Sequence, residues 1–369
     1  MVYDVAIIGG GPAGSAAGLS LMQLAPHAHV VLCEASGYDA WRHGEILSGR
    51  ARNVLESLGC WEQVAGTGLL PCHGNRAAWG SAEPYDNEFI FSMHGSSWRL
   101  DRRRFDRTLC DCAQTAGVEV RTRARVTESA ETADGAWNLG VPGERIQAGF
   151  VIDASGRHSC FASRRGAKRL VADHLAGVAL TFEFAEHPAP GDSFTWIEAQ
   201  EDGWWYSSIV PGERAVLAWM SDTDLIRQSR LHQRDRWLAK LASTVLTRER
   251  VTHANPTGHP AVFSARSQRL TRFAEPRWAA AGDAAMAFDP LSSQGILAAL
   301  RTGKLAAFVA FDHLQGKPSH ERYHKLVAAE YEGYLAARRV FYRMEQRWPQ
   351  APFWQRRHSQ ENCRLTIPD

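Results

Sequence analysis

The first 167 residues contain no lysine; Lys168 is the first. Chemistry that needs an ammonium group from this half of the chain is therefore excluded. Charge of one sign is also missing. The 42 basic and 40 acidic side chains leave a formal net charge of +2, which gives no field for nucleic acid or a polyanionic surface. No uncharged apolar run reaches the roughly 18 residues of a membrane span. The seven cysteines, at 33, 60, 72, 110, 112, 160 and 363, make no metal-ligand spacing, so no metal is expected. Their odd number fits free thiols in a reducing compartment. The N-terminus is itself a strand, so no cleavable leader is expected and the reading is a cytoplasmic protein. Internal repeats and low-complexity segments are absent, and G-x-G-x-x-G occurs once.

What is present begins at Tyr3. Tyr3-Asp4-Val5-Ala6-Ile7-Ile8 reads as a buried strand, Gly9-Gly10-Gly11-Pro12-Ala13-Gly14 carries the glycine pattern, and an apolar helix follows to Leu24. Gly9 permits the tight turn, Gly11 lets a pyrophosphate approach the backbone, and Gly14 lets the helix pack closely. Pro12 and Ala13 open the helix, whose free N–H groups and partial positive charge suit phosphates. A second strand, from His29 to Cys33, runs into Glu34. That is about 20 residues beyond the glycines, where an acid binds a ribose hydroxyl. The spacing predicts a bound adenine dinucleotide.

A length of 369 residues suggests one large or two interleaved domains of roughly 100–200 residues each. The dinucleotide domain is expected in three pieces, residues 1–70, 100–175 and 265–330. Residues 71–99 and 176–264 read as an inserted, mostly antiparallel sheet on the substrate side, and 331–369 as a C-terminal helical segment. Residues 101 to 116 have helical periodicity, with Phe105, Leu109, Cys112 and Ala113 on one face. Residues 225–246, 295–314 and 320–348 also read as helices. Most of the thirteen tryptophans read as core, but such an excess also suits an aromatic pocket, with Glu45, Trp79, Trp205 and Tyr206 as its candidates.

Two later segments narrow the cofactor. Val151-Ile152-Asp153-Ala154-Ser155-Gly156-Arg157 is a buried strand ending in an acid and a turn. In Ala281-Gly282-Asp283 an aspartate at a strand end can accept bonds from a polyol. Asp289-Pro290-Leu291-Ser292-Ser293-Gln294-Gly295-Ile296 opens a helix whose N–H groups face a developing negative charge. Reduced flavin carries such a charge. With these motifs in this order, the chain resembles the FAD-dependent aromatic hydroxylase superfamily, from residue 2 to about 315. The resemblance implies a glutathione-reductase-like α/β Rossmann fold. It places Asp283 at the ribityl chain, Gly295 and Ile296 at the flavin ring beyond Pro290, Arg102 on the phosphate side and the Val126 backbone at adenine, with Arg42 as a further contact.

Gly44-Glu45, Ala78-Trp79-Gly80, Gly203-Trp204-Trp205-Tyr206-Ser207 and the Asp289–Gly295 run are similar to tryptophan-halogenase-like flavoproteins. They look most like those that mature protein-derived tryptophylquinone cofactors. This implies non-covalent FAD, O2, and NAD(P)H or a separate reductase as electron donor. The implied reaction is hydroxylation of an electron-rich aromatic ring, a tryptophan of a partner protein. Halogenases of this type need a lysine in the first half and a Trp-Ile-Pro signature. Here the lysine is absent and the signature is altered to Trp205-Tyr206-Ser207-Ser208-Ile209-Val210-Pro211. A small-molecule aromatic hydroxylase of secondary metabolism, a halogenase, an isoprenoid reductase and a non-enzymatic flavoprotein that docks a partner stay open. Glu45 either takes a proton from the substrate or caps the helix near residue 49. His43 reads as a hydrogen-bonding loop residue.

Overall fold

The strand Val2–Ile8 is flanked by parallel neighbours on both sides, Glu144–Asp153 and Val30–Cys33. Parallel pairing continues outward to Glu119–Arg121 on one side and Trp278–Ala280 on the other. Strands covered on both faces need unbroken apolar runs, and Val5 to Ile8 and Val30 to Cys33 are buried without a gap. This computed structural model describes residues 2–89, 95–185 and 192–359; Cys363 and the end of the expected C-terminal segment lie outside them. Helices Pro12–Leu24, Arg102–Thr115 and Gly295–Leu314 pack together against the parallel sheet. Among the described residues, no helix is long and apolar enough to cross a membrane.

A second sheet of seven strands runs in the order Ala254–Ser264, Leu175–Phe184, Arg214–Asp222, Gly203–Val210, Phe194–Gln200, Gly74–Ala78, Tyr85–Glu88. Every pairing is antiparallel except that of Phe194–Gln200 with Gly74–Ala78. Side chains alternate between its faces. Trp205 and Trp219 join Trp237 in a buried cluster behind the sheet. Tyr206 and Ala218, each one residue along, face the opposite way. The α/β fold with an inserted, mostly antiparallel sheet and C-terminal helices is the one the sequence implies.

Elements of the structure cross two of the expected domain boundaries. Leu70–Cys72 is one strand across the 70/71 boundary, and with Ile46–Leu47 and Ser97–Arg99 it forms a separate three-stranded sheet. Residues 97–99 therefore do not belong to the inserted sheet. Helix His320–Met344 runs straight through the 330/331 boundary, because Tyr323, Val327, Tyr331, Tyr334 and Leu335 bury one face in the main core. It stops at Met344, short of Trp348. The helix expected over 225–246 is three short ones, Thr223–Ser229, Arg234–Ala242 and Leu246–Glu249. The first break falls at Arg230, whose φ of 54° is left-handed and cannot continue a right-handed helix.

The helices approach more closely than side chains allow. A Cβ on Gly14 would sit 1.8 Å from the Gly9 carbonyl oxygen, and one on Gly303 would sit 2.1 Å from the Ala13 carbonyl oxygen. Both obstacles are backbone and cannot swing away. Gly303→Ala should therefore destabilise the protein by about 1–3 kcal/mol, although alanine favours a helix by about 1 kcal/mol over glycine. The midpoint of urea unfolding reads this; an unchanged or raised midpoint would show that the helices can move apart freely.

Candidate active site

A cavity of about 790 Å³ runs between the glycine loop, the seven-stranded sheet and the start of Gly295–Leu314. Gly9, Gly11, Pro12 and Ala13 line it. A Cβ on Gly11 would have nothing nearer than the Arg42 guanidinium at 3.9 Å, so this backbone faces open cavity. Gly14 does not line the cavity; it is the packing contact just described.

Glu34 is 5% exposed. Its Oε2 accepts from the Gly10 N–H at 2.7 Å, and its Oε1 accepts from the Ser36 N–H at 2.9 Å, the Ser36 hydroxyl and Arg42. Oε2 keeps acceptor capacity for a ribose hydroxyl. Burial disfavours the Glu34 charge, but the Ser36 hydroxyl, the Gly10 and Ser36 N–H groups and Arg42 outweigh it and hold the carboxyl below its usual value. Val126 also lines the cavity and is 5% exposed. No described residue hydrogen-bonds its backbone N–H or C=O, the condition for pairing with an adenine edge.

Asp106, fully buried, ties the basic side of the cavity together. Its two oxygens bind Arg102 Nε and Nη2 at 3.1 Å each, and Arg42 Nη1 at 3.0 Å. Arg42 also reaches Glu34 at 3.1 Å. Arg102 donates to the His43 carbonyl at 2.8 Å. Burial works against its charge, but Asp106 overcomes that and raises the guanidinium above its ordinary value. Further along, Asp283 meets Arg157 Nε at 3.3 Å. Arg157 also donates to the Arg266 and Phe288 carbonyls, so the Asp153–Arg157 motif braces the Asp283 turn. Asp153 itself is fully buried, accepting from the N–H groups of Ser155, Phe161 and Ala162; its work is structural.

Pro290, Gly295, Ile296, Glu45 and Tyr206 line the same cavity. The Asp289–Gln294 loop is fixed by Asp289, whose carboxylate accepts from Tyr342 at 2.7 Å, Arg338 at 3.2 Å and the Leu291 N–H at 2.9 Å. On the other side of this loop lies a second cavity of about 450 Å³, lined by Trp79, Ile197, Leu291, Phe341 and Met344 among others. The two cavities share Ile46, Asp289, Ser293 and Gln294 as a common wall.

The structure settles where three of the sequence candidates stand. Trp205 does not enter either cavity. The pleat turns it to the back of the sheet, where it packs on Trp219 and Trp237 and donates to Gln200 at 3.3 Å. Trp79 lines the second cavity rather than the one that holds Tyr206, with its indole N–H held by the Phe341 carbonyl. Glu45 is not a helix cap. Helix Arg50–Ser57 starts at Gly49, whose N–H donates to Ser97 Oγ. Asp106, Arg338 and Tyr342 are not among the sequence candidates. Arg102 and Asp106 stand four apart on one helix, a readable pair spacing; Asp289 and Arg338 carry no such local signal.

The family described as FAD binding domain matches residues 2–321. The chain is 32% identical over 368 residues to the putative FAD-dependent oxidoreductase LodB of Marinomonas mediterranea, with 97% of each chain covered. Its fold is similar to that of the myxobacterial chondrochloren halogenase CndH, with a TM-score of 0.86 at 22% identity over 98% of this chain and 87% of that one. It is also similar to peptidyl tryptophan dihydroxylase QhpG, essential for tryptophylquinone cofactor biogenesis. There the TM-score is 0.79 at 24% identity, over 98% of this chain and 80% of that one.

Asp106→Ala leaves two guanidinium groups without their shared carboxylate. The flavin-free protein should lose about 3 kcal/mol, the lower end for a broken buried pair, measured by urea unfolding. A loss within error of zero would mean that Asp106 does not hold the arginines. Glu34 makes a prediction for pH. Its carboxyl lies below the ordinary value of 4.5 in the folded chain, so its stabilisation is complete above about pH 4.5 and is lost as pH falls through the folded value. The stability gap between wild type and Glu34→Gln should therefore narrow steadily on acidification below that point. A gap independent of pH would contradict the assigned contacts.

Proposed function

The chain belongs to the FAD binding domain family and is an FAD-dependent oxidoreductase, and from that premise we propose that it hydroxylates an electron-rich aromatic ring. The ring is the tryptophan side chain of a partner polypeptide, modified during maturation of a quinone cofactor. The observation that carries this reading is the pair of cavities. The larger has the donors and acceptors for FAD; the smaller has Trp79, Tyr85 and Phe341 on its wall beside polar residues such as Asn75 and Asn87, and shares a wall with it. No lysine lines either cavity among the described residues, and halogenation chemistry of this type needs one. The fold likeness to QhpG supports the reading as far as fold goes.

In this reading Gly9, Gly11, Pro12 and Ala13 receive the pyrophosphate, with Arg42 and Arg102 beside it. Glu34 holds the adenosine ribose and the Val126 backbone holds adenine. Asp283 binds the ribityl hydroxyls, and Pro290, Gly295 and Ile296 face the ring. Bound and reduced FAD supplies the activation of O2. The chain's own work is to orient the substrate ring and exclude water. One oxygen atom of O2 enters the ring C–H bond as C–OH, and the other leaves as water. Two electrons come from NAD(P)H, bound transiently or used by a separate reductase, since the sequence has one dinucleotide loop.

The test supplies FAD, NAD(P)H with a flavin reductase, and O2, together with a tryptophan-containing partner polypeptide, with and without bromide or chloride. Mass spectrometry should find one or two added oxygen atoms on tryptophan, independent of halide. Halogen in the product would make the chain a halogenase. Turnover of free small aromatics with no change in any polypeptide would make it a small-molecule hydroxylase.

A further inference from the structure

Glu45 is 2% exposed, and its Oε1 is buried with no hydrogen-bond partner. A buried carboxylate oxygen left without a donor is costly, and native structures keep few of them without a functional reason. Its other oxygen, Oε2, accepts from the Tyr206 hydroxyl at 3.4 Å. The next group along is His43, whose Nδ1 stands 3.8 Å from Oε1 and is likewise buried without a hydrogen-bond partner. Two unsatisfied polar atoms thus face each other on the wall of the FAD cavity. Their separation is too long for a direct hydrogen bond. A small side-chain rotation would close it, as happens for catalytic contacts on substrate binding.

The Glu45 side chain caps no helix, and Arg102 donates to the His43 and Gly44 carbonyls rather than to its carboxylate. The His43 ring lies stacked on Phe263, with centroids 4.3 Å apart and planes 21° apart. That fixes its edge toward Glu45, while 24% of the side chain stays open to solvent.

We propose that Glu45 accepts the proton that leaves the aromatic substrate and that His43 carries it from Glu45 to solvent, with Tyr206 positioning the carboxylate. This rests on the hydroxylation reading above. Once the C–O bond has formed, the ring carbon gives up its hydrogen as a proton, which crosses the wall that the two cavities share at Ile46 to the neighbouring Glu45 carboxylate. The proton passes to His43 Nδ1, Nε2 releases one to water, and no electrons move along this path. Tyr206 donates throughout, because burial and the Glu45 charge both keep its hydroxyl protonated. The groups facing Glu45 are His43 from its own loop, Tyr206 from strand Gly203–Val210 and Arg102 from helix Arg102–Thr115, with Asp283 acting on Arg102 from across the cavity.

The experiment uses the FAD-loaded enzyme in single-turnover reactions with the tryptophan polypeptide. Glu45→Gln should slow oxygen insertion about a hundredfold or more with the flavin spectrum unchanged. His43→Ala should slow it too, and added imidazole should restore the rate in proportion to its neutral form. Tyr206→Phe should change the rate severalfold and leave the imidazole rescue of His43→Ala intact. Wild-type rates in Glu45→Gln, or a His43→Ala defect that imidazole leaves untouched, would overturn the proposal. A second readout needs no turnover. The ring-nitrogen NMR shifts of His43 at a single pH should differ between wild type and Glu45→Gln, and identical shifts would overturn the coupling. A wild-type enzyme that hydroxylates nothing would refute the hydroxylation reading, while the NMR comparison would still decide whether Glu45 and His43 are coupled.

Discussion

The close packing at the first turn of helix Pro12–Leu24 is the constraint on which the rest depends. Gly14 presses on the Gly9 carbonyl, Gly303 on the Ala13 carbonyl, and a Cβ on Gly282 would stand 2.8 Å from the Ala13 methyl. Gly282 and Gly303, from the far end of the chain, both close on Ala13. This brings the start of Gly295–Leu314 and the Asp283 turn onto the glycine loop, and so forms the long cavity from pieces more than 250 residues apart. An added carbon on Gly14 or Gly303 meets backbone, and one on Gly282 meets the Ala13 methyl, where a packed interior has little room to relax.

Electrostatics then shape what the packing assembles. Asp106 gathers Arg42 and Arg102 so that two cations stand on one wall, held by a carboxylate that is fully buried. Asp289 does the opposite work. It fixes the wall between the two cavities to the C-terminal helix through Arg338 and Tyr342, and Arg338 is itself tied to Asp173 at 2.9 Å. The helix His320–Met344 is thus part of the site. Its Phe341 and Met344 line the second cavity and are half exposed, so the aromatic chamber and the molecular surface share residues. That arrangement suits a side chain presented by another polypeptide.

The part of the site written in local pattern was legible. The glycine loop, Glu34, and the Asp283 and Asp289–Gly295 segments each declare themselves within a few residues, because turns and helix starts need particular residues at fixed spacing. Trp205 and Tyr206 were harder. Alternation puts neighbours on opposite faces, but which face meets the cavity depends on what the sheet packs against, and the wrong aromatic was included. The Asp289–Arg338 and Asp283–Arg157 pairs join residues 49 and about 125 positions apart, and no periodicity links them. Arg102 and Asp106 are the exception, a pair four residues apart on one helix. The His43–Glu45 geometry could not be read at all, since it depends on the Phe263 ring from a strand over 200 residues away.

A crystal structure of the FAD complex tests the central claim most directly. The account predicts the adenine against the Val126 backbone, the pyrophosphate over Gly11 between Arg42 and Arg102, and the flavin ring against Gly295 and Ile296 with its reactive edge toward the wall shared with the Trp79 cavity. A flavin ring turned away from that wall, or FAD bound outside the glycine-loop cavity, would contradict it.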